Sequence, residues 1–375
     1  MTPNIHFMLV SAQAAPNLLP VLDPALKPTK AVLMVTQKMQ KQADALQAVL
    51  TEAGVKVERV ALHDEHDYTR LQDSLLEVAA CHDGADIALN LTGGTKLMAL
   101  AAQSVAEGVG WKIFYVDVDT DEVIWLGRNA APRQKLGAHL RLAHYLRAYG
   151  FTPEGPVDRP LPAARHNELL DTLILQVGSL ELALGQLNYL AQQAQDQRRL
   201  DIRLTDDQRD RLEPLLRIFE NAATLKVTGE VIRFASALDL AFAQGGWLEQ
   251  HVYRTVTALH GALGLRDKAA NLVVMDATGV KNEMDVAFMA HNRLYVIECK
   301  TARMDNGAHP KANDTLFKLA EVCRRVGGLG TRGMLASYRP VRDSERRLAN
   351  ALGIELVCGA DLNRLRERIA NWAKP

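Results

Sequence analysis

Cysteine is scarce in this 375-residue chain, and the four present, Cys81, Cys299, Cys323 and Cys358, show no C-x-x-C or Cys/His spacing. A structural zinc site and a disulfide framework are therefore not indicated, and reduced thiols in a cytoplasmic protein are expected. Also lacking are any apolar stretch of membrane-span length and any basic flank before the short apolar run near the N-terminus. No membrane association and no secretory leader are expected. Charge of one sign is missing too: 44 Lys+Arg balance 44 Asp+Glu, so bulk charge does not announce a nucleic-acid partner. What remains is ordinary for a soluble globular chain, 48% hydrophobic and 23% charged, at a length that suits two domains with a large core.

The balance is uneven along the chain. Residues 236–375 hold 20 Lys+Arg against 15 Asp+Glu, a modest excess that the remainder offsets. The same stretch carries the most demanding chemistry. Asn282-Glu283-Met284-Asp285-Val286 precedes Leu294-Tyr295-Val296-Ile297-Glu298-Cys299-Lys300, and His291-Asn292 between them supplies turn chemistry, so two β-prone runs read as a hairpin. Strand alternation sends Glu298 and Lys300 to one face and Cys299 to the other. Taken alone, Glu298 and Lys300 suit an ion pair on a wet strand face, Asp285 an edge residue and Glu283 a solvated neighbour. The near-continuous apolar run before Glu298 instead places these charges where a buried strand emerges. With Asp285 alongside, two carboxylates and an ammonium converge, a set of hard oxygen ligands suited to Mg²⁺ or Mn²⁺ with a lysine to orient or help deprotonate a water.

A third element precedes the hairpin. In Gly245-Gly246-Trp247-Leu248-Glu249-Gln250-His251-Val252, the apolar residues Leu248, Val252 and Val256 mark one helix face, and Glu249 sits on the first turns. A further helix is expected over residues 313–326, with Lys311, Lys318 and Arg324 available for phosphates. The order helix, strand, strand, helix with Glu249, Asp285, Glu298 and Lys300 resembles the PD-(D/E)xK nuclease superfamily. That resemblance implies Asp285 and Glu298 as metal ligands, the backbone carbonyl of Cys299 as a further ligand, Lys300 as the water-activating group, and Glu249 as a second metal or structural carboxylate.

The N-terminal 150 residues read differently. Strands are expected over residues 5–10, 31–35, 55–62, 85–91 and 112–118, alternating with helices over 41–53, 69–81 and 97–105. This alternation predicts an α/β fold with a doubly wound, mostly parallel sheet and ligands at the carboxyl ends of its strands. Ser11, Gln13, Thr36, Lys38 and the loop Thr92-Gly93-Gly94-Thr95-Lys96 all fall at such ends. A strand, a glycine turn and a helix N-terminus favour an anion, although Gly93-Gly94 by itself also suits a plain tight turn. The loop is neither a dinucleotide fingerprint nor a P-loop. The run Asn90-Leu91-Thr92-Gly93-Gly94-Thr95-Lys96-Leu97-Met98 after the fourth strand resembles a CARF domain, the Rossmann-like sensor of cyclic oligoadenylate in type III CRISPR defence. With the C-terminal motif, the chain resembles the CRISPR ancillary nucleases. The resemblance implies a homodimer around cyclic tetra-adenylate, the activator, facing the 92–96 loops and, by position, Ser11 and Gln13, and a DNA and/or single-stranded RNA substrate.

The organisation expected is a sensor domain over residues 1–150, a linker and helical or hairpin connector over 151–235, and a restriction-endonuclease-like α/β nuclease domain over 236–375. Residues 151–162 are rich in proline and glycine, 167–197 read as one long helix, 206–223 as a second and 225–234 as a hairpin. Two helices and a hairpin also suit a winged-helix DNA reader, but no basic recognition helix is visible. Two other functions stay open: a nucleotide-responsive DNA-binding regulator with an inactive nuclease domain, and a messenger-independent repair or restriction-type nuclease.

Overall fold

The computed structural model describes residues 3–127, 130–155, 157, 166–301 and 311–374. Its first sheet contains β1 (Ile5–Leu9), β2 (Lys30–Thr36), β3 (Lys56–Leu62), β4 (Ile87–Asn90), β5 (Lys112–Asp117), β6 (Glu122–Leu126) and β7 (Gln134–Lys135). The spatial order is β3-β2-β1-β4-β5-β6-β7, parallel as far as β5 and antiparallel thereafter. The central strands β1, β2 and β4 are buried on both faces, which is why Phe7-Met8-Leu9 and Val32-Leu33-Met34 read as unbroken apolar runs, while the edge strand β3 is largely exposed. Strand order reverses between β1 and β4, so the crevice for a ligand opens between the loops that follow these two strands.

The 151–162 segment is not all linker. β8 (Phe151–Pro153) pairs with the edge of the second sheet, Asp276 opposite Phe151, and the proline sits at the end of an edge strand where its missing N–H costs nothing. Residues 156 and 158–165 of that segment lie outside the described residues. The middle of the chain contributes helices Asn167–Leu175, Glu181–Asp196 and Asp206–Asn221, with β9 (Asp201–Arg203), β10 (Leu225–Thr228) and β11 (Val231–Phe234) in a small antiparallel sheet. The long helix expected over 167–197 is broken at residues 176–180, where Gly178 and Ser179 interrupt it and let two helices fold onto one apolar core.

The second sheet adds β12 (Asp267–Asp276), β13 (Lys281–Ala290), β14 (Arg293–Lys300), β15 (Arg332–Ser337) and β16 (Ile354–Cys358) in the order β16-β15-β14-β13-β12-β8. β12 to β14 form an antiparallel meander, and β14 to β16 run parallel. Helix Lys311–Gly327 lies on one face and helix Trp247–Ala258 on the other. The β13–β14 turn is His291-Asn292, with φ of 49° and 55°, the left-handed pair that a two-residue hairpin requires.

That turn is anchored in the first domain. Asn292 Oδ1 accepts the Leu140 N–H at 2.8 Å, and its Nδ2 donates to Asp121 Oδ1 at 2.9 Å and to the Ala138 carbonyl at 3.1 Å. Arg293 pairs with Asp119, and Asp267 Oδ2 accepts the Leu142 N–H at 3.1 Å. Removing the carboxamide strands a buried N–H and a buried carbonyl. Asn292→Ala should therefore cost about 3 kcal/mol, read as a lower urea midpoint at unchanged slope. A loss below about 1 kcal/mol would show that the anchor is not energetically coupled to folding.

Candidate functional site

The β13–β14 ladder runs from Ala290 opposite Arg293 to Val286 opposite Ile297. One step further the side chain takes over from the backbone: Asp285 Oδ2 accepts the Cys299 N–H at 2.7 Å. On its other side Asp285 is released from β12. Pairing there passes from Ala270–Val286 to Leu272–Met284, and Asn271, opposite Asp285, has a φ of 50°. Both strands change step at this point. Ala269 and Leu272 share one core, as do Ala287 and Met284, three residues apart on each strand instead of two or four. A break of this kind re-aims a side chain, and here the residue re-aimed is Asp285.

Glu298 and Lys300 leave β14 on one face, with Lys300 Nζ 2.6 Å from Glu298 Oε1, while the Cys299 thiol is buried in the opposite core. Glu249 rises from the first turn of helix Trp247–Ala258, whose Trp247, Leu248, Val252 and Val256 are buried beneath it. The helix is set by a glycine pair at its start. Gly245 has a φ of 146°, and a Cβ there would lie 2.2 Å from Thr301 Oγ1, so only glycine lets the turn approach the end of β14.

These charges feel one another. Burial, then the nearby Glu298 and Glu249, push the Asp285 carboxyl up to about 7, against the Cys299 N–H that favours its charged form. Burial and the carboxylates of Glu283 and Glu298 raise Glu249. For Lys300, burial opposes the ammonium, but Glu298 and Asp285 outweigh it and hold its pKa above the ordinary value. Burial keeps the Cys299 thiol protonated well beyond its usual range, so only its backbone carbonyl suits a hard ion. Asp285 and Glu249, both raised by burial and by neighbouring carboxylates, with one ammonium beside them, form a cluster whose negative charge a divalent cation relieves. Among the described residues no three His, Cys, Asp or Glu side chains form a complete cage. The donor set of two carboxylates and a carbonyl instead suits an ion that keeps waters and substrate oxygens.

At the other crevice the 92–96 loop is built around glycine. A Cβ on Gly93 would lie 2.0 Å from the Leu9 carbonyl oxygen, and Gly94 has a φ of 74°. Thr95 caps helix Lys96–Gly108 by accepting the Met98 N–H at 3.2 Å. The Thr92 hydroxyl donates to Asn90 Oδ1 at 2.7 Å and accepts the Val116 N–H at 2.7 Å. The Thr92 hydroxyl is thus engaged both ways in shaping the loop, whereas Thr95 accepts one N–H and keeps its O–H to donate, so the exposed Thr95, Lys96 and the helix N-terminus can face an anion. Ser11 Oγ accepts the Gln13 N–H at 3.3 Å beside this crevice. The Gln13 side chain turns toward the second domain, accepting from the Tyr149 hydroxyl at 3.3 Å.

Most of the other candidates are buried or already paired. Thr36 is buried, and Lys38 is paired with Glu65 at 2.5 Å. Arg324 is paired with Glu321 at 2.7 Å, Lys318 is exposed, and the Lys311 side chain lies outside the described residues. The exposed arginines of helix Asp206–Asn221 are occupied by its own acids: Arg209 by Asp206, Arg211 by Asp207, Arg217 by Glu213. No basic face is left there for a duplex. Sequence reasoning had Asn90 only as the first residue of the loop motif, and missed Asn17 and Asn271. Only an asparagine in a strand, an unusual choice, could have flagged the last.

Residues 5–145 match the family model described as the Card1 CARF domain, and residues 238–375 match the Card1-like endonuclease domain. The two models together set the class: a CARF sensor domain followed by an endonuclease domain. The chain thus joins a Card1-type CARF domain over residues 5–145 to a Card1-like endonuclease domain over residues 238–375. Its fold is similar over nearly its whole length to protein VC1899 from Vibrio cholerae, at 26% identity and a TM-score of 0.87 over 98% of this chain and 97% of that one. It is likewise similar to Can2 from Sulfobacillus thermosulfidooxidans, solved in complex with cyclic tetra-adenylate, at 25% identity and a TM-score of 0.84 over 99% and 97%. A type III CRISPR defence DNA nuclease activated by cyclic oligoadenylate shares the fold at 21% identity and a TM-score of 0.54, covering 90% of this chain and 46% of that one. No curated protein matches the chain.

The raised Asp285 carboxyl has a pH signature. Its folded pKa of about 7 lies above that of an unfolded aspartate, so its contribution to stability is complete below about pH 4 and is lost as pH rises through 7. Asp285→Asn never acquires the charge. In chelator-treated buffer it should match the parent near pH 4 and exceed it by about 2 kcal/mol above pH 7, roughly half of what three pKa units would give undiminished. Urea denaturation from pH 4 to 8 measures the gap, and a gap independent of pH would show that Asp285 is not held in a repelling site.

Proposed function

We propose that this chain is a metal-dependent endonuclease of type III CRISPR antiviral defence, working in the cytoplasm as a homodimer activated by cyclic tetra-adenylate and hydrolysing phosphodiesters of DNA, single-stranded RNA or both. The observation that carries the reading is the convergence of Asp285, Glu298 and Lys300 at one end of a hairpin whose turn is anchored in the CARF domain. The likeness to Can2, solved with cyclic tetra-adenylate, supports the messenger. A two-fold ring suits a two-fold site, with one 92–96 loop from each subunit. Among the described residues no helix is long and apolar enough to cross a membrane.

Asp285, Glu298 and the Cys299 carbonyl would hold Mg²⁺ or Mn²⁺. Such an ion, when bound, polarises a phosphate and lowers the pKa of a water. Asp285 is kept in place by the Cys299 N–H, so the carboxylate is oriented before any ion arrives. Lys300 carries its proton in the resting site and is paired with Glu298. It therefore orients the attacking water and offsets charge on the phosphate, and it can act as a base only after Glu298 is neutralised by other means. Glu249 is placed to bind a second ion or to fix the first-turn backbone. The self-neutralised helix Asp206–Asn221 favours a connector over a DNA reader.

Plasmid, single-stranded DNA and single-stranded RNA incubated with Mn²⁺ or Mg²⁺, with and without cyclic tetra-adenylate, test the reading. Cleavage is expected only when metal and messenger are both present. Glu298→Ala and Lys300→Ala should each lower cleavage at least a hundredfold, about 3 kcal/mol of transition-state stabilisation, while messenger binding stays unchanged. Cleavage that needs no messenger would retain the nuclease and discard the sensor. Retained cleavage in either variant would remove the site assignment.

A further inference from the structure

The 92–96 loop is joined to the second domain by an unbroken set of contacts. Thr92 is held by Asn90 Oδ1, and Asn90 Nδ2 donates at 3.0 Å both to Asn17 Oδ1 and to the Pro16 carbonyl. Asn17 in turn donates to the Leu9 carbonyl at 2.9 Å, the same oxygen against which Gly93 is packed. The loop after β4 and residues 11–17 after β1 therefore form one body. Gln13, within that body, leans on Gly328: a Cβ on Gly328 would lie 2.5 Å from Gln13 Nε2, and its φ of 64° excludes an easy substitute. The Tyr149 hydroxyl donates to Gln13 Oε1, the Tyr149 ring stacks on Tyr145 with centroids 4.9 Å apart, and the Tyr145 hydroxyl donates to the Gly327 carbonyl at 2.8 Å. Gly327 ends helix Lys311–Gly327, whose Leu316 and Leu319 share a core with Leu294 and Val296 of β14, the strand that carries Glu298 and Lys300.

We propose that Gln13 and Tyr149 are positioning residues that hold helix Lys311–Gly327 in its resting place, and that an anionic nucleotide on the 92–96 loop acts on the nuclease by shifting Gln13 off Gly328. The proposal rests on the messenger-gated reading and names its route. Packed contacts of this kind are bistable rather than continuously deformable, so release of Gln13 from Gly328 would be a two-state event. Gln13 is thereby coupled to the end of the helix that backs the strand carrying Glu298 and Lys300. A contact made only in the resting arrangement biases the equilibrium by its own strength, about fivefold for one neutral hydrogen bond.

The test uses the full chain with Mn²⁺ and graded cyclic tetra-adenylate. Tyr149→Phe keeps the ring stack and deletes the hydroxyl. Messenger-free cleavage should rise about fivefold, and messenger affinity, measured by calorimetry in chelator, should rise by up to the same factor and not fall. A variant indistinguishable from the parent in cleavage overturns the route, and so does one whose messenger affinity falls tenfold, because Tyr149 would then belong to the binding site. Hydrogen exchange on the unsubstituted chain is a second reading free of folding defects. Amides of residues 326–331 should exchange differently with and without messenger, and identical exchange overturns the proposal. An unsubstituted chain that fails to cleave with metal and messenger ends the gated-nuclease reading, whereas a gated parent with an unaltered Tyr149→Phe ends only the route.

Discussion

Three hydrogen bonds from one carboxamide set the geometry of this molecule. Asn292 occupies the left-handed turn of the β13–β14 hairpin and at the same time fills the hydrogen-bonding needs of a segment of the CARF domain. The turn fixes which residues of the two strands face each other. A slip of one residue would carry Glu298 and Lys300 to the other face of the sheet. The tie between domains and the alignment of the carboxylates therefore have a common cause. The hairpin is buried along most of its length, so its two ends are related as the ends of a stiff body.

Below that anchor the site is assembled against electrostatic preference. A half-buried aspartate facing another carboxylate is unfavourable in isolation, and Asn271 in a left-handed conformation inside a strand adds backbone strain on the order of 1 kcal/mol. Both are tolerated because the surrounding sheet is tightly packed, with Val286, Phe288 and Ile297 fully buried. The fold supplies stability in the meander and uses some of it where the chain opens toward substrate, a common arrangement at sites of charge chemistry.

Local pattern made the hairpin, the Glu298–Lys300 face and the Glu249 helix legible in the sequence, because turn chemistry and strand alternation act over a few residues. The parallel sheet of the first domain was legible for the same reason, strand after helix after strand. What escaped depends on distant partners. Phe151-Thr152-Pro153 becomes a strand only because β12 offers an open edge, and the sequence there reads as proline-rich linker. The break at residues 176–180 answers to a core formed with residues far along the chain. That Thr92 and Thr95 also shape their own loop, through Asn90, Val116 and the Met98 N–H, follows from contacts that appear only once the strands and helix are in place. The release of Asp285 from β12 requires two strands to change step together, which neither strand's sequence reveals alone.

The short strand β8 has a mechanical consequence. Helix Leu142–Ala148 of the first domain is followed after Tyr149 and Gly150 by residues hydrogen-bonded into the edge of the second sheet. The covalent passage between sensor and nuclease is therefore taut, in contrast to a flexible tether that would absorb small displacements before passing them on. A taut link has no backlash. Any displacement of one domain would have only Tyr149 and Gly150 in which to be absorbed before it met the other, in a connection that looks, in the sequence, like a place where nothing is held.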